Sequence, residues 1–341
     1  MKLKELASHL GLSQTTVSRA LNGYPEVNEE TRQRVMEAAR RHDYRPNASA
    51  RRLATGRAGA IGIVLPTDRN MLLDPHYIEF QAGLGERLLR DEIDIVLSPT
   101  KGSDELATYR RMALGGRVDA VILSSPTVVD ERVGLLTELG LPFVLHGRTE
   151  SHIPHAWLDI DNEGAFHHAT KHLLDLGHRR IGLINGETRH TFARDRENGF
   201  RRALNAHGLA VDEAFVANGL MTDEIGYRIT ARFLAERPRP TALLVSSMMM
   251  SLGAFRAIRA AGLELGRDVS MIAHDDVFPF LNPDVMVPTM STTRSSIRAA
   301  GKRVGELLME LLVEGRAPET IHELWPVELV VRGSTGPAPR D

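Results

Sequence analysis

From Ala60 onward, short apolar runs alternate with stretches of helical periodicity, and this alternation limits the possible folds more than any other feature. The apolar runs cover residues 60–65, 93–97, 120–123, 143–145, 181–184, 242–245 and 269–272. Helical stretches such as 76–90, 162–176, 195–207 and 248–262 fall between them. This order is typical of a parallel sheet with crossover helices. Roughly four runs precede residue 150 and three or four follow it, which favours two doubly wound subdomains over one very wide sheet.

The first 44 residues have a different pattern, that of three short helices. Apolar residues at helical spacing mark the first helix, which Gly11 ends. Ser13 is a suitable N-cap for a second helix over residues 14–22, and Asn28 can cap a third. Two helices separated by about three residues that include a glycine form the helix-turn-helix pattern, whose second helix lies in the major groove of DNA.

The second helix carries a row of hydrogen-bonding side chains that face away from its apolar stripe: Gln14, Thr15, Ser18, Arg19 and Asn22. Gln and Thr can contact base edges, Arg can bind guanine with two hydrogen bonds, and Ser13 at the helix start suits a phosphate. A solvated polar face in a small helical bundle is the alternative explanation. Residues 1–57 contain eleven Lys/Arg and six Asp/Glu, a net charge of +5, whereas the rest of the chain carries −7. The basic segment favours nucleic acid as the partner.

Several other classes of protein lack support. The chain has no cysteine, which excludes disulfides, thiolate catalysis and Cys-ligated metals. No apolar stretch is long enough to span a membrane, and the N-terminus lacks the apolar core of a secretory signal, so we expect a cytoplasmic protein. His168 and His172 have a spacing that can bind zinc, but no carboxylate occupies the metalloprotease position. No P-loop, nucleophile elbow or dinucleotide-binding glycine turn is present, so we expect no metal and no cofactor.

The segment from Leu3 to Leu53 resembles the DNA-binding headpiece of the LacI family of bacterial repressors. The similarity is carried by residues 17–22 (VSRALN), 27–32 (VNEETR), 44–47 (YRPN) and 50–54 (ARRLA). It implies that residues 47–56 form a hinge helix on DNA and that Leu53 wedges into the minor groove and bends the duplex. It also implies major-groove contacts by Leu3, Gln14, Thr15, Ser18, Arg19 and Asn22, phosphate contacts by Asn28 and Thr31, and DNA-binding positions in the linker at Asn47 and Ala50.

The resemblance continues through most of the chain, in residues 173–181, 196–200, 270–276 and 329–335. It implies an α/β protein in which a three-helix helix-turn-helix headpiece and a hinge helix precede a periplasmic-binding-protein-like core of two Rossmann-type subdomains. We expect the DNA-binding domain to cover residues 1–57 and the effector-binding and dimerisation core residues 58–341. Within the core, subdomain 1 would comprise residues 58–159 and 290–318, and subdomain 2 residues 160–289 and 319–335.

The resemblance implies a ligand between the two subdomains. Polar groups that hold it should converge at the carboxyl ends of the strands, where open parallel sheets bind ligands. By resemblance, Arg196 would grip ligand hydroxyls, for which its planar fork is suited, and Asp275 would be the ligand-binding acid. Met221 occupies a position where relatives place an aromatic residue. The remaining candidate effector contacts are His76, Tyr77, Ser124, His146, Arg148, Trp157, Ser247, Met248 and Arg294.

Within the family, residues 145–148 (LHGR), 245–248 (VSSM) and 293–296 (TRSS) most resemble repressors of α-glucoside uptake operons. One departure concerns Ser247-Met248. Most relatives have Asn-Asp at these positions, and the Asn side chain in those relatives commonly forms a hydrogen bond with a sugar. Serine keeps one hydroxyl, whereas methionine offers only an apolar, adaptable surface. The run from Met248 to Met250 can either contact the ligand or form core at the start of a helix.

We therefore expect a repressor of a carbohydrate uptake operon rather than an enzyme. It would bind a pseudo-palindromic operator in double-stranded DNA as a homodimer, and a small sugar, by resemblance an α-glucoside, would release it. The alternative is a cytoplasmic sugar-binding protein or sugar-processing enzyme whose N-terminal helices serve only for assembly. The absence of a recognisable catalytic constellation and of an export signal disfavours that alternative.

Overall fold

The computed structural model describes residues 1–21, 23–44, 56–67, 74–274 and 281–340. The chain forms two compact units, Met1–Gly59 and Ala60–Asp341. The first unit contains the headpiece, for which we use residues 1–44, and the second is the core.

The headpiece consists of three helices: α1 (Leu3–Leu10), α2 (Gln14–Leu21) and α3 (Glu29–Arg41). Gly11 ends α1 in the left-handed conformation, with φ of 66°, which glycine adopts without steric cost. The Ser13 hydroxyl accepts a hydrogen bond from the Thr16 N–H (3.0 Å) at the start of α2. Asn28 Oδ1 accepts one from the Thr31 N–H (2.8 Å) at the start of α3. Both predicted caps are therefore confirmed.

A small apolar core holds the three helices together. Leu6, Val17 and Val35, one from each helix, are completely buried. Small residues such as Ala20 and Ala38 complete the interior and let the helices approach closely. Because α1, α2 and α3 bury only one face each, the opposite face of α2 stays exposed to solvent.

One of the two lobes of the core, lobe 1, is built on an all-parallel six-stranded sheet with the order β11-β5-β4-β3-β1-β2. Its strands are β1 (Ala60–Pro66), β2 (Asp94–Thr100), β3 (Ala120–Ser124), β4 (Phe143–His146), β5 (Ala156–Ile160) and β11 (His322–Trp325). The helices are α4 (Pro75–Leu88), α5 (Glu105–Leu114), α6 (Glu131–Glu138) and α11 (Ile297–Leu312). Helices α4 and α11 pack against each other and cover the apolar strands β1, β3, β4 and β5.

Lobe 2 is built on a second six-stranded sheet with the order β12-β10-β9-β8-β6-β7, in which only the β10–β12 pair is antiparallel. Its strands are β6 (Ile181–Asn185), β7 (Val216–Asn218), β8 (Ala242–Val245), β9 (Ser270–His274), β10 (Ser291–Arg294) and β12 (Glu328–Val330). The helices are α7 (Asn162–Asp175), α8 (Thr191–Ala206), α9 (Asp223–Ala235) and α10 (Met248–Ala260). The α7–α8 and α9–α10 pairs pack on the sheet and form two apolar clusters with it.

The expected architecture, a helix-turn-helix headpiece and a core of two parallel-sheet α/β lobes, is confirmed. The division of the core differs from the expected one at two places. Residues 291–294 belong to lobe 2, because β10 pairs with β9, and residues 322–325 belong to lobe 1, because β11 pairs with β5. The chain therefore crosses between the lobes at 160–162, 294–297 and 325–328.

Candidate functional site

The exposed face of α2 carries the predicted base-reading side chains. Gln14, Thr15 and Arg19 are exposed, while Ser18 is half-buried. Among the residues that the structure describes, Gln14, Thr15 and Arg19 form no side-chain hydrogen bond or ion pair with the rest of the protein. Side chains of this kind, held on a short rigid helix, can form hydrogen bonds with the edges of base pairs.

The proposed phosphate contacts lie at helix N-termini. Ser13 and Asn28 cap α2 and α3, so each stands beside unpaired backbone N–H groups that suit an anion. Thr31 lies in the first turn of α3 and Leu3 at the start of α1, both half-buried. Asn22, Asn47, Ala50 and Leu53 lie outside the described residues.

A cavity of about 150 Å³, partly open to solvent, lies in the cleft between the two lobes. Residues that follow strands β3, β4, β5 and β8 line it, so it lies at the carboxyl ends of the strands in both sheets. Eight of the predicted effector residues are among the lining residues: His76, Tyr77, Ser124, His146, Arg196, Met221, Ser247 and Met248.

Three helices begin at the wall of this cavity. The Asp74 carboxylate caps α4, the Ser247 hydroxyl caps α10 and the Ser296 hydroxyl caps α11, and all three residues line the cavity. Asp74 as N-cap and Pro75 at the first helical position fix the start of α4. His76 and Tyr77 therefore lie in its first turn, where they line the cavity. Helix N-termini present partial positive charge, which suits the oxygen atoms of a polar ligand.

Arg196 is the most firmly positioned charged group in the cavity. It is 6% exposed, its Nε donates to Asn162 Oδ1 (2.8 Å), and its Nη1 donates to the Ser246 carbonyl (2.8 Å). Its guanidinium carbon lies 5.4 Å from the ring of Phe166 and 5.0 Å from that of Phe192. Packing against two rings and two hydrogen bonds hold the planar guanidinium in one orientation at the cavity wall.

His146 contributes a neutral imidazole to the same cavity. Its ring stacks on Phe80 with 4.7 Å between ring centroids. Burial lowers the pKa of His146 to about 3, and the positive potential of His76 acts in the same direction. At neutral pH the ring therefore offers one donor and one acceptor, the combination that hydroxyl groups can satisfy.

The methionine run divides between core and cavity. Met250 is completely buried in the apolar core of lobe 2. Met248 is 1% exposed and packs in that core while also lining the cavity, and Met249 lines it as well. The Ser247 hydroxyl accepts the Met250 N–H (3.2 Å) as a helix cap. This corner of the cavity is therefore largely apolar.

Three predicted effector residues lie outside the cavity lining. Arg148 binds Asp159 and Asp195 instead, and Trp157 stacks on His322 with 5.0 Å between ring centroids. Arg294 ends β10 with its Nε 4.0 Å from a carboxylate oxygen of Glu328. Asp275 lies outside the described residues.

The sequence analysis did not single out Asp159, Asn162 or Phe192, which also line the cavity. Asp159 and Asn162 are buried, and burial raises the pKa of Asp159 although Arg148 opposes this. A signal for them existed in the acidic residues that follow the apolar residues Ala156 and Leu158. The apolar run 156–158 is too short to predict a strand on its own.

Within the described ranges, no group of three His, Cys, Asp or Glu side chains is arranged to hold a metal ion. The pair His168 and His172 lies on α7, and none of the described residues adds a third ligand of this kind. None of the helices described in the structure combines the length and the apolar character needed to cross a bilayer.

Comparison with known proteins agrees with this geometry. Residues 2–47 match the family described as "Bacterial regulatory proteins, lacI family", and residues 170–335 match the "Periplasmic binding protein-like domain". The chain is 51% identical to the HTH-type transcriptional regulator AglR of Rhizobium meliloti (strain 1021), over 99% of this chain and 95% of that one. This protein belongs to the LacI family.

Other LacI-family proteins extend the comparison. The HTH-type transcriptional regulator RafR of Escherichia coli is 31% identical over 99% of both chains. The solved structure of a CelR–cellobiose complex matches with a TM-score of 0.74 and 27% identity, covering 98% of this chain and 99% of that one. A lac repressor dimer bound to operator and the anti-inducer ONPF matches with a TM-score of 0.83 and 25% identity over the same shares.

These relatives are transcriptional regulators rather than enzymes, which confirms the expected class. The chain is a DNA-binding transcriptional repressor of the LacI family. The alternative of a sugar-processing enzyme with an assembly domain receives no support from them.

Proposed function

We propose that this repressor binds a pseudo-palindromic operator as a homodimer and is released from it by a sugar, specifically an α-glucoside. The dimer follows from the docking geometry of helix-turn-helix proteins, in which two recognition helices enter major grooves one helical turn or more apart. We expect an operator of roughly 16–20 base pairs for this reason. The lac repressor structure is a dimer on its operator, which supports the same arrangement here.

The cleft cavity is the observation that carries the effector proposal. Arg196, neutral His146 and buried Asn162 and Asp159 bring both donor and acceptor groups to the wall of one cavity. A carbohydrate needs such mixed hydrogen bonding because each hydroxyl donates and accepts. The similar CelR structure contains cellobiose, a further reason to propose a sugar here.

The α-glucoside assignment rests on where the distinguishing sequence stretches lie. Residues 145–148, 245–248 and 293–296 resemble those of α-glucoside operon repressors, and each stretch contributes lining residues to the cavity: His146 and Gly147, Ser246 to Met248, and Ser295 and Ser296. The apolar Met248 corner would face a carbon–hydrogen surface of the sugar rather than its hydroxyls.

A thermal-shift screen against sucrose, maltose, trehalose and single monosaccharides tests this proposal, because a ligand that binds only the folded protein raises its melting temperature. We expect a shift with one of the α-glucosides and a loss of that shift in Arg196→Lys, which keeps the charge but lacks the planar fork. Arg201→Met is the matched control, since Arg201 lies on the same helix and pairs with Glu197 and Glu213 outside the cavity.

The same sugar should then lower the affinity of the protein for its operator, measured by fluorescence anisotropy. Coupling in such systems is typically about 1–3 kcal/mol and is reciprocal, so operator DNA should weaken sugar binding by the same factor. Failure of every tested sugar to raise the melting temperature would contradict the effector proposal and leave DNA binding intact.

A further inference from the structure

The first turns of α8 contact both the cavity and the opposite lobe. Phe192 and Arg196 line the cavity from lobe 2. Between them, Arg194 Nη1 lies 2.7 Å from a carboxylate oxygen of Glu150 in lobe 1. Asp195 Oδ2 lies 3.4 Å from Arg148 Nη2, also in lobe 1. One short helical segment, residues 192–196, therefore carries both cavity residues and residues that contact the other lobe.

Arg148 takes part in a contact between the lobes that also includes hydrogen bonds from the Thr191 hydroxyl to the Arg148 and Pro126 carbonyls and between His190 Nδ1 and the Ser125 carbonyl. Arg148 Nε donates to Asp159 Oδ2 (2.8 Å), within lobe 1, while its Nη2 donates to Asp195 across the cleft. Asp159 and Asp195 have side chains only 9% and 14% exposed. The Arg148 side chain is 35% exposed, so both pairs are shielded on the carboxylate side and partly screened by solvent on the arginine side.

Hydrogen bonds continue from this ion pair to the cavity arginine. Asn162 Nδ2 donates to Asp159 Oδ1 (3.4 Å), and Asn162 Oδ1 accepts from Arg196 Nε (2.8 Å). Asn162 is 1% exposed, so its amide is held in one orientation by a donor on one side and an acceptor on the other. Asp159 and Asn162 also line the cavity.

We propose that Arg148 is a positioning residue that joins the two lobes through Asp195 and holds the cleft closed. It does this without touching the effector, and Asp159 and Asn162 link it to Arg196. Any ligand whose hydroxyl donates to the Asp159 carboxylate, or forms a hydrogen bond with the Asn162 amide, acts on the groups that hold Arg148. Binding of the effector and closure of the lobes are thereby connected through the side chains of Asp159, Asn162 and Arg148.

The closure can be measured directly because the chain contains no cysteine. Glu138→Cys on α6 and Arg228→Cys on α9 place one exposed site for a nitroxide label on each lobe. Pulsed electron–electron double resonance then measures the distance between the two labels. We expect Asp195→Asn and Arg148→Met to move the distance distribution to longer values. Asp195→Glu, which keeps the charge, should restore the parent distribution.

Lys171→Met is the matched control, because it removes the exposed pair between Lys171 and Asp175 on α7, away from the cleft. It should leave the distances unchanged. Identical distance distributions in the parent, Asp195→Asn and Arg148→Met proteins would overturn the proposal. Melting temperatures of all variants show whether each one is folded.

A second measurement rests on the proposed function and uses maltose or sucrose in titration calorimetry. Loss of the closed population raises the apparent dissociation constant, so Asp195→Asn should weaken sugar binding about three- to tenfold although Asp195 does not line the cavity. An unchanged constant would contradict the coupling. Absence of sugar binding in the parent protein would refute the effector proposal, and the label distances would still decide the role of Arg148.

Discussion

Arg19 illustrates what a single exposed side chain can be expected to do. It projects from α2, with no ion pair to another described residue. Arg19→Ala should weaken binding to the preferred operator by about 1–3 kcal/mol and relax the preference at one base position in each half-site. Competition binding against operators that are varied one position at a time measures this. An equal loss on every sequence would instead indicate a phosphate contact.

His146 provides a prediction about acid stability. Burial lowers its pKa to about 3 in the folded protein, whereas an unfolded histidine titrates near its ordinary pKa of roughly 6.5. Between these values the unfolded chain binds the extra proton, so folding stability falls as pH decreases through that window. The free energy of unfolding of His146→Gln should therefore fall less steeply with decreasing pH than that of the parent, by up to about 1.4 kcal/mol per pH unit.

Melting temperatures of the parent and of His146→Gln between pH 7 and pH 4.5 test the prediction. The melting temperature of the parent should fall more steeply with decreasing pH than that of the variant, whatever their difference at pH 7. The pKa values of buried His178 and His274 are also lowered, so the variant should retain part of the acid sensitivity. Parallel curves would show that His146 is not the group responsible.

At the scale of elements, the α4–α11 pair depends on glycines at its contact. A Cβ added to Gly83 would lie 1.9 Å from the Arg298 carbonyl oxygen, and one added to Gly301 would lie 2.1 Å from the Phe80 carbonyl oxygen. Backbone atoms cannot yield as a flexible side chain can. The two helices would have to separate, and both supply residues to the cavity wall.

Gly83→Ala should therefore destabilise the core by about 1–3 kcal/mol or more, because overpacking displaces backbone. Gly85→Ala is the matched control on the same helix, since nothing lies within 4 Å of its added Cβ. That variant should be neutral or stabilising by up to about 1 kcal/mol through helix propensity. Denaturant unfolding of both variants decides the point, and equal effects would refute the packing argument.

The elements that could be predicted from the sequence are those with a strong apolar signal. The runs at 60–65, 120–123, 143–145, 181–184 and 242–245 all became strands. Strand β10 escaped notice because Ser291, Thr292 and Thr293 are polar. Buried hydrogen bonds such as that between Thr293 and His274 (2.7 Å) satisfy them, and these depend on partners distant in sequence.

The start of α8 shows why some residues of the site could not be predicted from the sequence. Helix α8 begins at Thr191, four residues before the expected start at residue 195, because a backbone contact with the loop after β3 orders its first turn. That contact, from the Thr191 N–H to the Pro126 carbonyl (3.1 Å), links residues far apart in sequence. Phe192 and the interaction partners of Arg148 were therefore not predictable from local pattern.

At the scale of the whole molecule, the uneven distribution of charge governs association with DNA. The segment 1–57 carries +5 and the remainder −7, so a dimer would bring +10 of headpiece charge to the operator. Neutralised phosphates release counterions, so operator affinity should fall by about 10³-fold or more between 50 and 200 mM salt. Anisotropy titrations across salt concentrations measure the slope, with sugar binding as the control that should change little.

The three passages of the chain between the lobes bear on how the protein is made. Lobe 1 needs α11 and β11, from residues 297–325, and lobe 2 needs β12 at residues 328–330. Neither lobe is complete until almost the whole chain has left the ribosome, whereas the headpiece core uses only the first 44 residues. During translation α4 is available to β1 and β3 early, but α11, which completes their cover, follows only at residues 297–312, so part of this apolar surface stays exposed on the nascent chain.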